Sequence, residues 1–203
     1  MNILAIDTSV GISVAVRRID GQTFESSLES HGIQGELTAT LVHEVLGQAG
    51  LAPNEITDVV CGVGPGPFTG LRVGIVTAEV FAYALGINIH ALCSLDAIAY
   101  DFGSPCVVVT NARRKELYWA KYGTARESAP QVNLPTEIPS SQLPFAGPGV
   151  LLYPEIVSGT NVPLRSGALA EIFANGQAQI VPLEPMYLRK PDAQEPGIRK
   201  SVL

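Results

Sequence analysis

Lysine is missing from most of this chain: the first one is Lys115. That excludes a Walker phosphate loop upstream of it, because such a loop ends in a lysine that reaches the nucleotide's terminal phosphates. Histidine is also scarce. His31 and His43 have eleven residues between them, and His90 belongs to a separate apolar segment. None of them forms the i, i+4 helical pair that converges on one metal ion, so metal catalysis is not expected. The cysteines are three, Cys61, Cys93 and Cys106; they lack metal spacing and lie in apolar strand-like runs. They read as small core residues of a reducing cytoplasm. No signal peptide is expected, since Asp7 interrupts the first apolar run and no basic segment precedes it. Arg72 and Glu79 interrupt the longest apolar helical stretch, so no membrane span is expected either. No internal repeat or low-complexity segment is evident.

Charge is unevenly shared. Residues 1–100 carry three arginines against ten acidic side chains, whereas residues 101–203 carry ten basic and nine acidic ones. An acidic first half repels phosphate backbones, so any service to a nucleic acid is expected to run through a partner. With 203 residues, 46% of them hydrophobic, the chain can bury a core as one unit or two small lobes.

The densest information lies in Gly62-Val63-Gly64-Pro65-Gly66-Pro67-Phe68-Thr69-Gly70-Leu71-Arg72-Val73-Gly74. An apolar strand enters a loop of alternating Gly and Pro, and a helix leaves it. Glycine permits close backbone approach and proline holds one shape. Thr69 stands where an N-cap belongs, so the first helical turn is a candidate anion site; a plain rigid turn is the alternative.

Strands are expected at 2–7, 12–18 and 22–28, then a helix over 33–49 with Leu37, Leu41 and Val45 at four-residue spacing. A strand at 58–62, a helix at 70–85, a strand at 87–93 and a short helix at 94–101 complete a first lobe. A second lobe restarts at Cys106, with a strand at 116–122, a proline-rich stretch at 130–148, and helices near 150–157 and 167–175. Pro191 and Pro196 argue against a long closing helix. The pattern is α/β. Within helix 70–85, Gly70, Gly74, Ala78 and Ala82 recur every four residues, a strip that lets a neighbour approach closely. Glycine inside a helix is unfavourable by up to about 1 kcal/mol, so Gly74 needs a packing reason, internal or between subunits.

Asp7, Thr8 and Ser9 end the first strand; they could face a phosphate and hydrated Mg²⁺, or bond their own turn. Arg113, Arg114 and Lys115 form a basic turn able to meet a phosphate, a tRNA or an acidic protein surface, or only solvent. No Ser-His-Asp or Cys-His set can be argued from the sequence.

Ile3-Leu4-Ala5-Ile6-Asp7-Thr8-Ser9, the glycine–proline loop, Ala112-Arg113-Arg114 and Pro185-Met186-Tyr187-Leu188-Arg189 occur in one order along the whole chain. In that order they resemble the bacterial TsaB (YeaZ) family of the tRNA threonylcarbamoyladenosine (t6A) pathway. The resemblance implies an ASKHA (actin-like ATPase/ribonuclease H-like) fold of two lobes with mixed sheets, residues 1–101 and a truncated second lobe at 102–203. It implies a cytoplasmic scaffold without catalytic residues of its own. That scaffold binds the catalytic subunit TsaD and, through the pair, the ATPase TsaE, touching tRNA only indirectly. Alone it would pair with itself. The pairing face would comprise Leu37, Leu41, Val45, Gly70, Leu71, Gly74, Ala78 and Ala82, and Gly74→Leu or Ala78→Glu would abolish pairing with the fold intact. Asp7, Thr8, Ser9, Gly64, Gly66 and Thr69 would be relics of a nucleotide site, with ATP or ADP and Mg²⁺ confined to the partner junction. The family commonly has Asp where this chain has Asn111. The rival readings are a stand-alone ASKHA ATPase or kinase, and a metallopeptidase of the M22 type.

Overall fold

Five residues of unbroken hydrophobic burial, Ile3–Asp7, form the central strand β1. A strand so buried reads as a continuous apolar run because both faces of its sheet are covered. It pairs antiparallel with β2 (Ile12–Arg17), which pairs with β3 (Thr23–Leu28). On its other side it pairs parallel with β4 (Asp58–Gly62), followed by β5 (Asn88–Leu92), giving the order β3-β2-β1-β4-β5. The computed structural model describes residues 1–29, 34–103, 105–139 and 142–189; His31, Pro191 and Pro196 lie outside them.

Helices α1 (Gln34–Ala49) and α2 (Phe68–Leu85) cover one face of this sheet. Leu41, Val45, Ile75, Ala78 and Ala82 pack there against Leu4, Ile6, Val14 and Val59. Each large aliphatic side chain so buried contributes on the order of 1.5–3 kcal/mol. Gly50 and Gly86, both at φ +66°, terminate the two helices in the left-handed conformation that glycine adopts freely.

The second sheet repeats the first. Its strands are β6 (Cys106–Asn111), β7 (Leu117–Tyr122), β8 (Gln131–Asn133), β9 (Phe145–Ala146) and β10 (Gly159–Thr160). Read from β8 the order is β8-β7-β6-β9-β10, with the same two antiparallel and two parallel pairings as the first sheet. The helices of each unit cross over. Helix α3 (Ser94–Phe102), which follows β5, packs with the second sheet through Leu95 and Ile98. Helix α4 (Ser166–Ala174), which follows β10, packs Ala168, Leu169 and Ile172 onto Ile3, Ala15 and Val60 of the first.

Three expectations differ. The helix expected from residue 70 begins at Phe68, with Pro67 in the capping position, so Thr69 lies in the first turn and caps nothing. Pro67 fixes the extended backbone at φ −63°, ψ 139°, and the helix winds at once behind it. The helix expected near 150–157 is instead a 3-10 turn at Pro148–Leu151 followed by irregular turns, since Pro154 and the preceding Gly149 prevent a longer one. Helix α2 is 18 residues long with a mean hydropathy of 1.3, which meets the length and composition of a membrane span despite Arg72 and Glu79. One face of it is nonetheless committed to the first sheet and α1.

Candidate functional site

The turn after β1 and the glycine–proline loop after β4 lie side by side and close on each other. Asp7 Oδ1 accepts the Ser9 N–H at 2.7 Å and the Ser9 hydroxyl at 2.6 Å, an Asp/Ser turn bonding itself. Its other oxygen lies over Gly62, where any Cβ would collide with it, and it has no hydrogen-bond partner among the described residues. Burial raises the Asp7 pKa above the ordinary carboxylate value, while the nearby Ser9 and Ser94 hydroxyls pull the other way. Ser94, at the start of α3, accepts the Gly64 N–H at 2.9 Å and so ties the loop to the same corner.

Thr8 is spent on α2. Its hydroxyl donates to the Gly70 carbonyl at 2.7 Å and accepts the Gly74 N–H at 3.1 Å, bridging consecutive turns of the helix. A Cβ on Gly74 would overlap Thr8 Oγ1. This is the packing reason for Gly74, and it is internal. Gly66 plays the same part in the loop: a Cβ there would come within 2.8 Å of the Ser9 backbone. Gly64, at φ +104°, turns the chain against Leu71.

Next to this corner opens a cleft of about 300 Å³ between the lobes, reached by Asp7, Ser13, Glu29, Pro148 and Asn161. Among the described residues its charged lining is acidic, Asp7 and Glu29, with no Lys or Arg. A nucleotide's phosphates there would face two carboxylates, and the hydroxyls expected to touch them are engaged elsewhere. Asp7, Thr8, Ser9, Gly64 and Gly66 are brought together, but to pack a corner; Thr69 is apart from them and exposed. The residues present do not fit a nucleoside triphosphate.

The pairing residues are corrected likewise. Gly70, Leu71, Gly74, Ala78 and Ala82 face inward, and Leu41 and Val45 are core, with Leu37 packed at its margin. The small-residue strip admits Thr8 and the sheet, so it presents nothing to another molecule. Gly74→Leu and Ala78→Glu should therefore disrupt the fold rather than only a partner contact. What α2 shows outward is Val76, Val80 and Tyr83, exposed by 53%, 61% and 91%. Spacing could have revealed them, because positions 76, 80 and 83 lie opposite the strip on a 3.6-residue helix.

A third assembly joins residues that sequence reasoning left apart. The tail crosses back over the first lobe, the Val181 N–H donating to Ala91 and the Met186 N–H to Val63. Tyr187 then stacks on Phe68, centroids 4.5 Å apart. The Arg72 guanidinium lies 3.8 Å from the Phe68 ring centre and donates to the Tyr187 hydroxyl at 2.9 Å. Arg189 pairs with Glu116 and donates to the Arg113 carbonyl at 3.2 Å. Tyr118 donates to Gly66 at 3.4 Å, linking the second lobe to the loop. The glycine–proline loop, the basic turn and the Tyr-Leu-Arg tail thus meet at one edge. In that turn Arg113, Arg114 and Lys115 have φ of 58°, 48° and 63°. Three successive left-handed residues with side chains cost about 1–2 kcal/mol each. Asn111 helps to hold them, its side-chain oxygen accepting the Arg113 N–H at 2.7 Å.

No nucleophile stands out. Burial pushes the Cys93 thiol up to about 12 and Cys106 up to about 11, far from a reactive thiolate. His43 is exposed, and His90 pairs with Asp58 at 3.1 Å and lies against Phe173. Among the described residues no three His, Cys, Asp or Glu side chains converge on one point.

Two five-stranded sheets of matching order, with crossed helices and a shortened second unit, define an ASKHA-class protein. The solved structure of YeaZ from Pseudomonas aeruginosa shares the fold, with a TM-score of 0.77 at 24% identity over 92% of this chain and 99% of that one. Residues 35–136 match the family described as TsaD, tRNA N6-adenosine threonylcarbamoyltransferase. Uncharacterized proteins of Mycobacterium tuberculosis and Mycobacterium leprae are each 37% identical over 95% of this chain. The chain spans 93% of the former but only 56% of the longer latter. The Escherichia coli tRNA threonylcarbamoyladenosine biosynthesis protein TsaB is 26% identical over 93% of this chain and 95% of its own length. The chain belongs to the TsaB (YeaZ) family.

Proposed function

We propose that this chain is the non-catalytic accessory subunit of a cytoplasmic t6A-forming assembly, and that it acts by binding a TsaD-like catalytic subunit. Family membership supports a part in t6A biosynthesis, since its named relatives are t6A biosynthesis proteins. The observation that carries the accessory role is the contrast between the two faces of α2. One is sealed onto Thr8 and the core, while the other leaves Val76, Val80 and Tyr83 in solvent. An apolar strip of that kind on a rigid helix suits a helix of a partner, and in its absence a second copy of the chain.

The closed Asp7 corner and the acidic cleft speak against a stand-alone ATPase or kinase, and the buried thiols and separated histidines against a peptidase. Any ATP or ADP with Mg²⁺ would bind at the junction with the partner, where a TsaE-like ATPase would also dock. Depleting the protein should sharply lower t6A in bulk tRNA, measured by mass spectrometry, and the wild-type chain should restore it. An unchanged level would refute the reading. Calorimetry of the isolated chain with Mg-ATP should show no binding at millimolar concentration; tight binding would return the ATPase reading.

A further inference from the structure

Five of the basic side chains are each neutralised by a carboxylate. Arg18 pairs with Asp20, Lys121 with Glu127, Arg126 with Asp96, Arg165 with Glu25 and Asp101, and Arg189 with Glu116. Arg17 is half-buried against the Arg18 carbonyl. Arg72, Arg113 and Lys115 have no carboxylate within ion-pair distance among the described residues, and all three are exposed. They gather at one edge. Arg72 touches Tyr187; two residues further, on the order of 7 Å of chain, Arg189 touches the Arg113 carbonyl. Among the described residues, three cations thus lack a carboxylate partner near the place where loop, turn and tail converge, in a chain of net charge −6.

We infer that this edge contacts the phosphate backbone of the tRNA held by the assembled complex, an inference that rests on the function proposed above. Three features select an RNA over an acidic protein surface. Arg113 and Lys115 sit on a backbone turn fixed in the left-handed conformation, so their positions are set before binding. Beside them the Phe68–Tyr187 stack, 41% and 37% exposed and overlaid by Arg72, is a flat aromatic and guanidinium surface suited to ribose and base. Asn111 holds the turn with an uncharged side chain, leaving no carboxylate on that capping bond to oppose a phosphate. The acidic remainder of the first half keeps the isolated chain from binding RNA by itself. The edge therefore adds contacts only after a partner has brought the tRNA in.

The test is tRNA affinity of the complex assembled with the TsaD-like subunit, titrated with an unmodified tRNA transcript across a salt series. Arg113→Asn together with Lys115→Asn removes two charges and keeps a side chain that tolerates the left-handed turn. Affinity should fall on the order of tenfold at 0.1 M salt, and log affinity against log salt should flatten by about two. Asn111→Asp, which keeps the acceptor for the Arg113 N–H, should give a smaller loss of the same kind. Unchanged affinity and slope in an intact complex would overturn the inference. So would loss of the partner subunit from the double variant on gel filtration, which would assign the edge to an acidic protein surface. A wild-type assembly that binds tRNA and makes t6A, with variants indistinguishable from it, refutes the edge alone. A wild-type assembly that makes no t6A refutes the underlying reading.

Discussion

The two sheets share one strand order and differ in what covers them. In the first, the connections from β3 to β4 and from β4 to β5 are the long helices α1 and α2, and β4 and β5 have five residues each. In the second, among the described residues, the corresponding connections hold 3-10 turns and irregular chain, and β9 and β10 have two residues each. The first sheet is therefore closed by helices on both faces. The second has α3 on one face and, on the other, irregular chain carrying Ile138, Val150 and Val157. A sheet covered by loops holds its own strands but offers no second helical wall to a nucleotide. On the first lobe, α2 leaves Val76, Val80 and Tyr83 exposed, and the proposed binding role falls there.

This comparison can be broken first at the joint between α2 and the β1 turn. Gly74→Leu should prevent folding, and Gly74→Ala should cost about 1–3 kcal/mol through overpacking against Thr8. Thr8→Ala in the same chain should recover part of the Gly74→Ala loss, because it vacates that volume. Thermal melts of the two single variants and the double one measure this coupling; strictly additive losses would count against the contact. Removing a large core side chain comes next. Leu169→Ala, where α4 meets the first sheet, should cost about 2–5 kcal/mol, and Val157→Ala under the second sheet's loop cover about 1.5 kcal/mol. Equal losses in denaturant titrations would erase the distinction between a helix-covered and a loop-covered face.

Acidity provides a subtler lever. Asp7 and Asp96 are both raised by burial, although Arg126 and Tyr122 offset part of the shift at Asp96. Between the unfolded and the raised folded pKa, the folded state binds more protons. The burial cost is thus fully present above the folded value and is relieved as pH falls towards the unfolded one. Asp7→Asn keeps an oxygen for Ser9 and removes the charge, so it should raise the melting temperature at pH 7–8. Its gain over wild type should shrink as pH is lowered. A gain independent of pH would mean that burial does not shift the Asp7 carboxyl. The smallest effect on stability belongs to the outward face: Val80→Glu and Tyr83→Ala should shift unfolding by less than about 0.5 kcal/mol.

Much of the first lobe was legible because its elements are long and periodic: the spacing of Leu37, Leu41 and Val45 located α1. The strip on α2 was equally visible. Its direction was not, since Thr8, the side chain that explains Gly74, is 66 residues away. The repeat of the second sheet left no sequence period because two of its strands are two-residue pairings with no apolar pattern. The basic turn was noticed as charge alone. Its left-handed backbone, and the approach of Arg72, Tyr187 and Arg189 to it, depend on a tail that returns across the whole lobe.

The proposed accessory role rests on the outer face of α2. The most direct measurement is t6A in bulk tRNA from cells depleted of this protein and supplied with either the wild-type chain or Val80→Glu. The account predicts restoration by the wild type and none by the variant, at matched protein level and melting temperature. Full restoration by Val80→Glu would contradict it.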